Sequence, residues 1–191
     1  QEGPADTVYL GVFRRSMLEE LGGYDESFVR AQDWELNYRI RSHGGLVWFS
    51  PELQVSYRPR RSLSALARQY FHYGRWRRVV MRRHRGSWTP RYLAPPVTLV
   101  VVATGTAVGA TVWRPALLAP AGYAAGVVAG AAWSARGRQL PPRSLAVLPV
   151  VLATMHFSWA AGFLTSHRSL GGVEPETVGA DDPADGGRGR D

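Results

Sequence analysis

The chain has 191 residues, with 23 basic side chains against 15 acidic ones and a formal net charge of +8. Every basic residue is Arg and there is no Cys, which excludes a disulfide-stapled fold, a Cys-ligated zinc site and a thiol nucleophile. The charge is segregated: residues 1–52 hold five Arg and nine acids, residues 53–173 sixteen Arg and no acid, and residues 174–191 two Arg and six acids. So long a run without a carboxylate points to a membrane-facing region or a nucleic-acid surface.

In chain order, Thr7–Phe13 reads as a buried strand. Ser16–Leu21 reads as a short helix stopped by Gly22 and Gly23, and Ala31–Ser42 as a second helix. Leu46–Phe49 and Gln54–Tyr57 read as short strands split by Pro51. This β-α-α-β-β order fills residues 1–61, too few for a doubly wound sheet, and reads as the second half of an α/β domain. Residues 62–91 form an Arg-rich amphipathic helix for the membrane surface, with Leu63, Leu66, Tyr70 and Tyr73 or Gly74 at helical spacing.

Three uncharged runs follow, at about 92–113, 115–135 and 144–166. Each is long enough to cross a hydrocarbon core of roughly 30 Å at about 1.5 Å per residue. The second is the weakest, being rich in Ala and Gly with Pro120 near its start. Residues 58–91 carry eleven Arg, which makes residues 1–91 cytoplasmic by the positive-inside rule; three crossings then put the C-terminus outside. The acidic tail, 167–191, reads as disordered. Its Asp181, Asp182 and Asp185 fall on the predicted far side and are not taken as a metal site.

Three motifs carry a resemblance: GGYDE (Gly22–Glu26), QDWEL (Gln32–Leu36) with Arg39 and Gly44 downstream, and QYFHYGRWR (Gln69–Arg77). In this order, ahead of membrane spans, the stretch resembles the acceptor-side half of family-two glycosyltransferases of GT-A fold, of the membrane-bound succinoglycan-biosynthesis type. The resemblance implies an inverting transfer of a hexosyl-type sugar from a nucleotide-sugar donor to a lipid-linked or polysaccharide acceptor at the plasma membrane. It assigns Asp33 as the base that takes the acceptor hydroxyl's proton. Asp25, Glu26, Trp34 and Trp76 then face the acceptor. His72-Tyr73-Gly74-Arg75-Trp76 has the spacing of the family's Q-x-x-R-W motif, with His in the place of Gln, so Arg75, His72 and Gln69 are assigned to the donor diphosphate. A bland reading of Asp33 as a helix cap stands beside this, as does a solvated turn for Asp25 and Glu26.

The family's D-x-D motif for Mg²⁺ or Mn²⁺ does not occur on the donor side of this sequence, and the five His have no metal-ligand spacing with a nearby acid. The isolated chain is therefore expected to be inactive, with no metal ligands of its own. Anionic lipids are the expected partners of the Arg block and nucleic acid is not. A catalytically inactive membrane scaffold, or an Arg-rich nucleic-acid module binding by phosphate contacts and stacking, are the competing classes.

Overall fold

The computed structural model describes residues 2–8 and 11–171. Among these residues the chain is mostly helical, with one two-stranded sheet in which β1 (Gly3–Pro4) pairs antiparallel with β2 (Trp48–Phe49). Between them lie α1 (Arg15–Leu21) and α2 (Gln32–Ser42). After β2 come α3 (Leu63–Arg83), α4 (Ala94–Thr111), α5 (Leu118–Ala135) and α6 (Pro142–Leu164).

Local chemistry sets the helix ends. Gly22, in the left-handed region at φ 74°, closes α1 by donating to the Glu19 and Leu18 carbonyls. Ser62 caps α3 by accepting the Ala65 N–H at 3.2 Å. The turn into α2 runs through Ala31 at φ 63°, an uncommon conformation for a residue with a Cβ.

The strands depart from the sequence expectation. The described residues of 7–13 form no strand, nor do residues 54–57, and only Trp48–Phe49 of the 46–49 run does. A strand needs a hydrogen-bonded neighbour as well as apolar residues, and these segments find none in the described chain. Leu46, Trp48, Leu53, Val55 and Tyr57 are exposed instead.

Two small cores hold the N-terminal region. Leu36, Ile40 and Val47 pack with Phe13, Met17, Leu18 and Leu21, fixing α1 on α2. Phe28 and Trp34 pack with Trp76, Val79 and Val80 of α3. The second cluster fastens the N-terminal region to α3, so α3 is more than a surface helix. Its buried face is Gly74, Trp76, Val79 and Val80, while Leu63 and Tyr73 of the stripe read from the sequence are exposed.

Segments Pro90–Thr111, Arg114–Ala135 and Pro142–Leu164 are each long and apolar enough to cross a membrane. They begin or end within a few residues of the three runs expected. The closest helix contact is between α3 and α6. A Cβ on Gly74 would overlap the Trp159 carbonyl, and one on Gly162 would overlap the Phe71 carbonyl, so each glycine admits the other helix's backbone. Arg78 donates to the Phe163 and Leu164 carbonyls at 2.9 and 3.1 Å. Arg82 donates to the carbonyls of Ser166 and His167 at 3.0 and 2.8 Å. These guanidinium groups satisfy the open carbonyls at the C-terminus of α6 and complement its dipole.

These bonds set residues 163–167 directly beside α3. Part of the expected tail is also built in: Leu170 packs on the Phe28–Trp76 cluster and Gly171 lies beside Val79. Residues 172–191, with Asp181, Asp182 and Asp185, lie outside the described residues.

Candidate active site

The QDWEL motif forms the first turns of α2, and its two acids differ in every physical respect. Asp33 is exposed, and its Oδ1 accepts the Trp34 N–H at 2.8 Å. It forms no ion pair among the described residues. Glu35 is 1% exposed. Its carboxylate takes two parallel bonds from Arg39, Nε to Oε1 at 2.7 Å and Nη2 to Oε2 at 2.9 Å. His84 Nε2 also lies 2.8 Å from Oε1.

Arg39 does more than pair with Glu35. Its Nη1 donates to the Leu21 carbonyl and its Nη2 to the Gly23 carbonyl, both at 2.7 Å. The same guanidinium thus ties the GGYDE turn to α2, a role its five donors in a fixed fork allow. Asp25, in that turn, accepts the Ser27 N–H at 2.9 Å and the Ser27 hydroxyl at 2.6 Å. Arg83 of α3 reaches both Asp25 Oδ2 at 3.3 Å and Ser27 Oγ at 2.9 Å. Desolvation pushes the Asp25 carboxyl up, but the two Ser27 bonds and the charges of Arg83 and Arg39 outweigh it and hold the group below its ordinary value. Glu26 is exposed and joins none of these bonds.

The two tryptophans assigned to the acceptor are core residues. Trp34 is 5% exposed; it stacks on Tyr38 at 6.0 Å, meets Tyr92 edge-on at 6.2 Å and carries the Arg77 guanidinium 3.7 Å from its ring centre. Trp76 is 3% exposed and packs on Phe28 at 6.1 Å. The faces a sugar would stack on are filled by protein. Gln69 donates to the Tyr73 hydroxyl at 2.6 Å and the Tyr57 hydroxyl at 3.4 Å. The Arg75 guanidinium lies 5.7 Å from the Phe71 ring centre, and the Arg75 carbonyl accepts from Ser166 Oγ at 2.9 Å. His72 lies on α3 between them, half-buried.

Arg77, two residues beyond Arg75, lies close enough to Asp33 to feel its charge. Burial lowers its guanidinium to about 10, against the raising effect of Tyr92, Asp33 and Asp6 and with Arg91 adding to the lowering. It remains a cation at neutral pH. Sequence reasoning did not single it out, because its place depends on how α3 lies against α2. Arg39 carried a fainter signal: Glu35 and Arg39 stand at i,i+4 on one helix.

The divalent ion that the resemblance implies does not fit the acids here. Asp25 is bound to Ser27 and Arg83, Glu35 to Arg39 and His84, and Asp6 to Arg91 and Arg41. No group of three His, Asp or Glu among the described residues could hold a metal.

An exposed carboxylate stands on a small N-terminal cap, fastened by an Arg-rich helix to three apolar helices long enough to cross a membrane. The chain belongs to glycosyl transferase family 21, whose model matches residues 10–169. Over 160 residues it is 33% identical to the succinoglycan biosynthesis protein ExoA of Rhizobium meliloti (strain 1021), covering 83% of this chain and 47% of that protein. The chain therefore spans about half the length of the curated relative it matches. No solved structure matches it significantly.

Proposed function

We propose that these residues are the acceptor side of a membrane-bound inverting glycosyltransferase, the C-terminal part of a GT-A domain and its membrane anchor, with Asp33 as the general base. In the complete enzyme an acceptor hydroxyl oxygen attacks the anomeric carbon of a nucleotide sugar. The bond from that carbon to the diphosphate oxygen breaks, its electron pair leaves with the diphosphate, and the hydroxyl proton passes to the Asp33 carboxylate. The acceptor is a lipid-linked sugar or a growing glycan. One observation carries the assignment: of the carboxylates in GGYDE and QDWEL, Asp33 is open to solvent, free of ion pairs among the described residues, and on a rigid helix.

The other motif residues support Asp33 in this reading. Trp34 and Trp76 act from the core as positioning residues, and Asp25 orders the turn whose exposed Glu26 borders the acceptor. Gln69, His72 and Arg75 remain the candidates for the donor diphosphate. The donor platform and any divalent ion belong to the remainder of the enzyme, so residues 1–191 alone are expected to leave a nucleotide sugar untouched.

Residues 1–91 lie on the cytoplasmic face of the plasma membrane in this reading. The bonds from Arg78 and Arg82 to residues 163–167 support an end of α6 on that same face. The test of the catalytic assignment is turnover by the complete enzyme. Asp33→Asn should lower it at least about a hundredfold, the low end of a general-base contribution, with donor binding retained. Turnover at the parental rate would remove Asp33 from the role.

A further inference from the structure

The place where α3, the start of α4 and the second half of α6 meet holds a cavity of about 300 Å³. Its lining is mixed: the polar Tyr70, Arg77, Arg91, Tyr92 and His156 meet the largely apolar Pro95, Met155 and Trp159. The Arg77 guanidinium is held by rings, 3.7 Å from the Trp34 centre and 4.5 Å from the Tyr92 centre. Rings attract the charge but do not accept its in-plane N–H groups as a carboxylate would. Arg77 Nη1 is buried and meets no hydrogen-bond partner among the described residues. Buried donors of a charged group are ordinarily paired, so this one is an exception that asks for a ligand. The neighbouring Arg91 is already engaged, with Asp6 and with the Tyr92 hydroxyl.

An unpaired cationic donor beside an apolar wall, at the level where an Arg-rich helix meets membrane-length helices, suits an anion attached to hydrocarbon. We propose that this cavity binds a phosphate group carried on an alkyl chain, Arg77 donating to the phosphate and the chain lying along Pro95, Met155 and Trp159. The planar guanidinium fork matches phosphate oxygens in pairs. Asp33 lies close enough for its charge to act on Arg77. A phosphate held there would bring the head of a lipid-linked acceptor to the base, and that consequence rests on the glycosyltransferase reading. The binding itself does not.

The test is calorimetric titration of the full chain in a maltoside detergent, which contains no phosphate. Decyl phosphate should bind saturably, and decanol and inorganic phosphate at least about tenfold more weakly, since each lacks half of the interaction. Arg77→Gln should weaken decyl phosphate about tenfold or more. Because Arg77 also packs on Trp34, Met155→Trp is the second variant: it fills the cavity, leaves the guanidinium in place and should weaken binding alike. Thermal unfolding identifies a variant that has lost its fold, and Met155→Trp then decides. Equal binding by parent and Met155→Trp, or equal affinity for decanol, overturns the proposal. Competition by dioleoyl phosphatidylglycerol as strong as by decyl phosphate identifies a bilayer headgroup as the source. Weak competition identifies a single-chain lipid phosphate. Failure of Asp33 as the base leaves decyl phosphate binding intact, so the two readings fail separately.

Discussion

Glu35 and Asp33 stand two residues apart on α2 and do opposite work. Glu35 is buried with Arg39 and His84, and through Arg39 it holds the Leu21 and Gly23 carbonyls. Removing one partner of a buried pair leaves the other uncompensated. Glu35→Gln should therefore lower stability by about 3 kcal/mol, read as a shift in denaturant midpoint, whereas Asp33→Asn should leave the midpoint nearly unchanged. A reversed ranking would make Asp33, and not Glu35, the structural tie. Asp25 gives a pH prediction. Its folded-state carboxyl lies below the ordinary value of 3.8, so its contribution is present above 3.8 and lost as pH falls through the lower folded value. Asp25→Asn should be less stable than the parent at neutral pH, and the gap should close in the acid limb. A gap constant with pH would show that Asp25 acts as a neutral turn former. At this scale the motif spacing identified both acids of QDWEL, but spacing cannot tell an open carboxylate from a buried one. That difference comes from Arg39 and His84, the latter 49 residues away in sequence.

At the scale of elements, helices were legible and strands were not. Helix ends are written locally, in Gly22 and Gly23 after α1 and in Ser62 before α3. A strand is completed by a neighbour elsewhere in the chain, so an apolar run such as residues 7–13 cannot declare itself. The sequence left the face that α3 buries open between Tyr73 and Gly74. Tyr73 is exposed and Gly74 is the point of closest approach, because a glycine on each helix lets backbone meet backbone. Gly74→Ala and Gly162→Ala should each destabilise the protein by about 1–3 kcal/mol, the usual range for overpacking. Gly126→Ala on α5, where a Cβ meets nothing within 4 Å, should be neutral or slightly stabilising through helix propensity. Thermal unfolding in detergent checks all three. Equal effects would mean that α3 and α6 are not in backbone contact.

At the scale of the molecule, the fold is a chain of attachments: α1 and α2 fastened to α3 through Phe28, Trp34 and Trp76, and α3 fastened to α6 through Gly74, Gly162, Arg78 and Arg82. The second attachment carries a prediction about topology. Reporters fused after Ser87 and after Gly171 should report the same side of the membrane. Opposite sides would show three full crossings and remove the shared-face reading. The Ala- and Gly-rich α5, with Pro120 in its first turn, is the segment whose full crossing is then most open to test. The sequence by itself determined the three apolar segments, the Arg-rich helix ahead of them and the motifs that mark the family, because these depend on composition and on spacing along one element. Only the tertiary structure decided that Glu35 is a buried tie and Asp33 an open carboxylate, that Trp34 and Trp76 are core, and that the end of α6 returns to α3. Each of these depends on which distant residue stands opposite, and local spacing carries no information about a partner dozens of residues away.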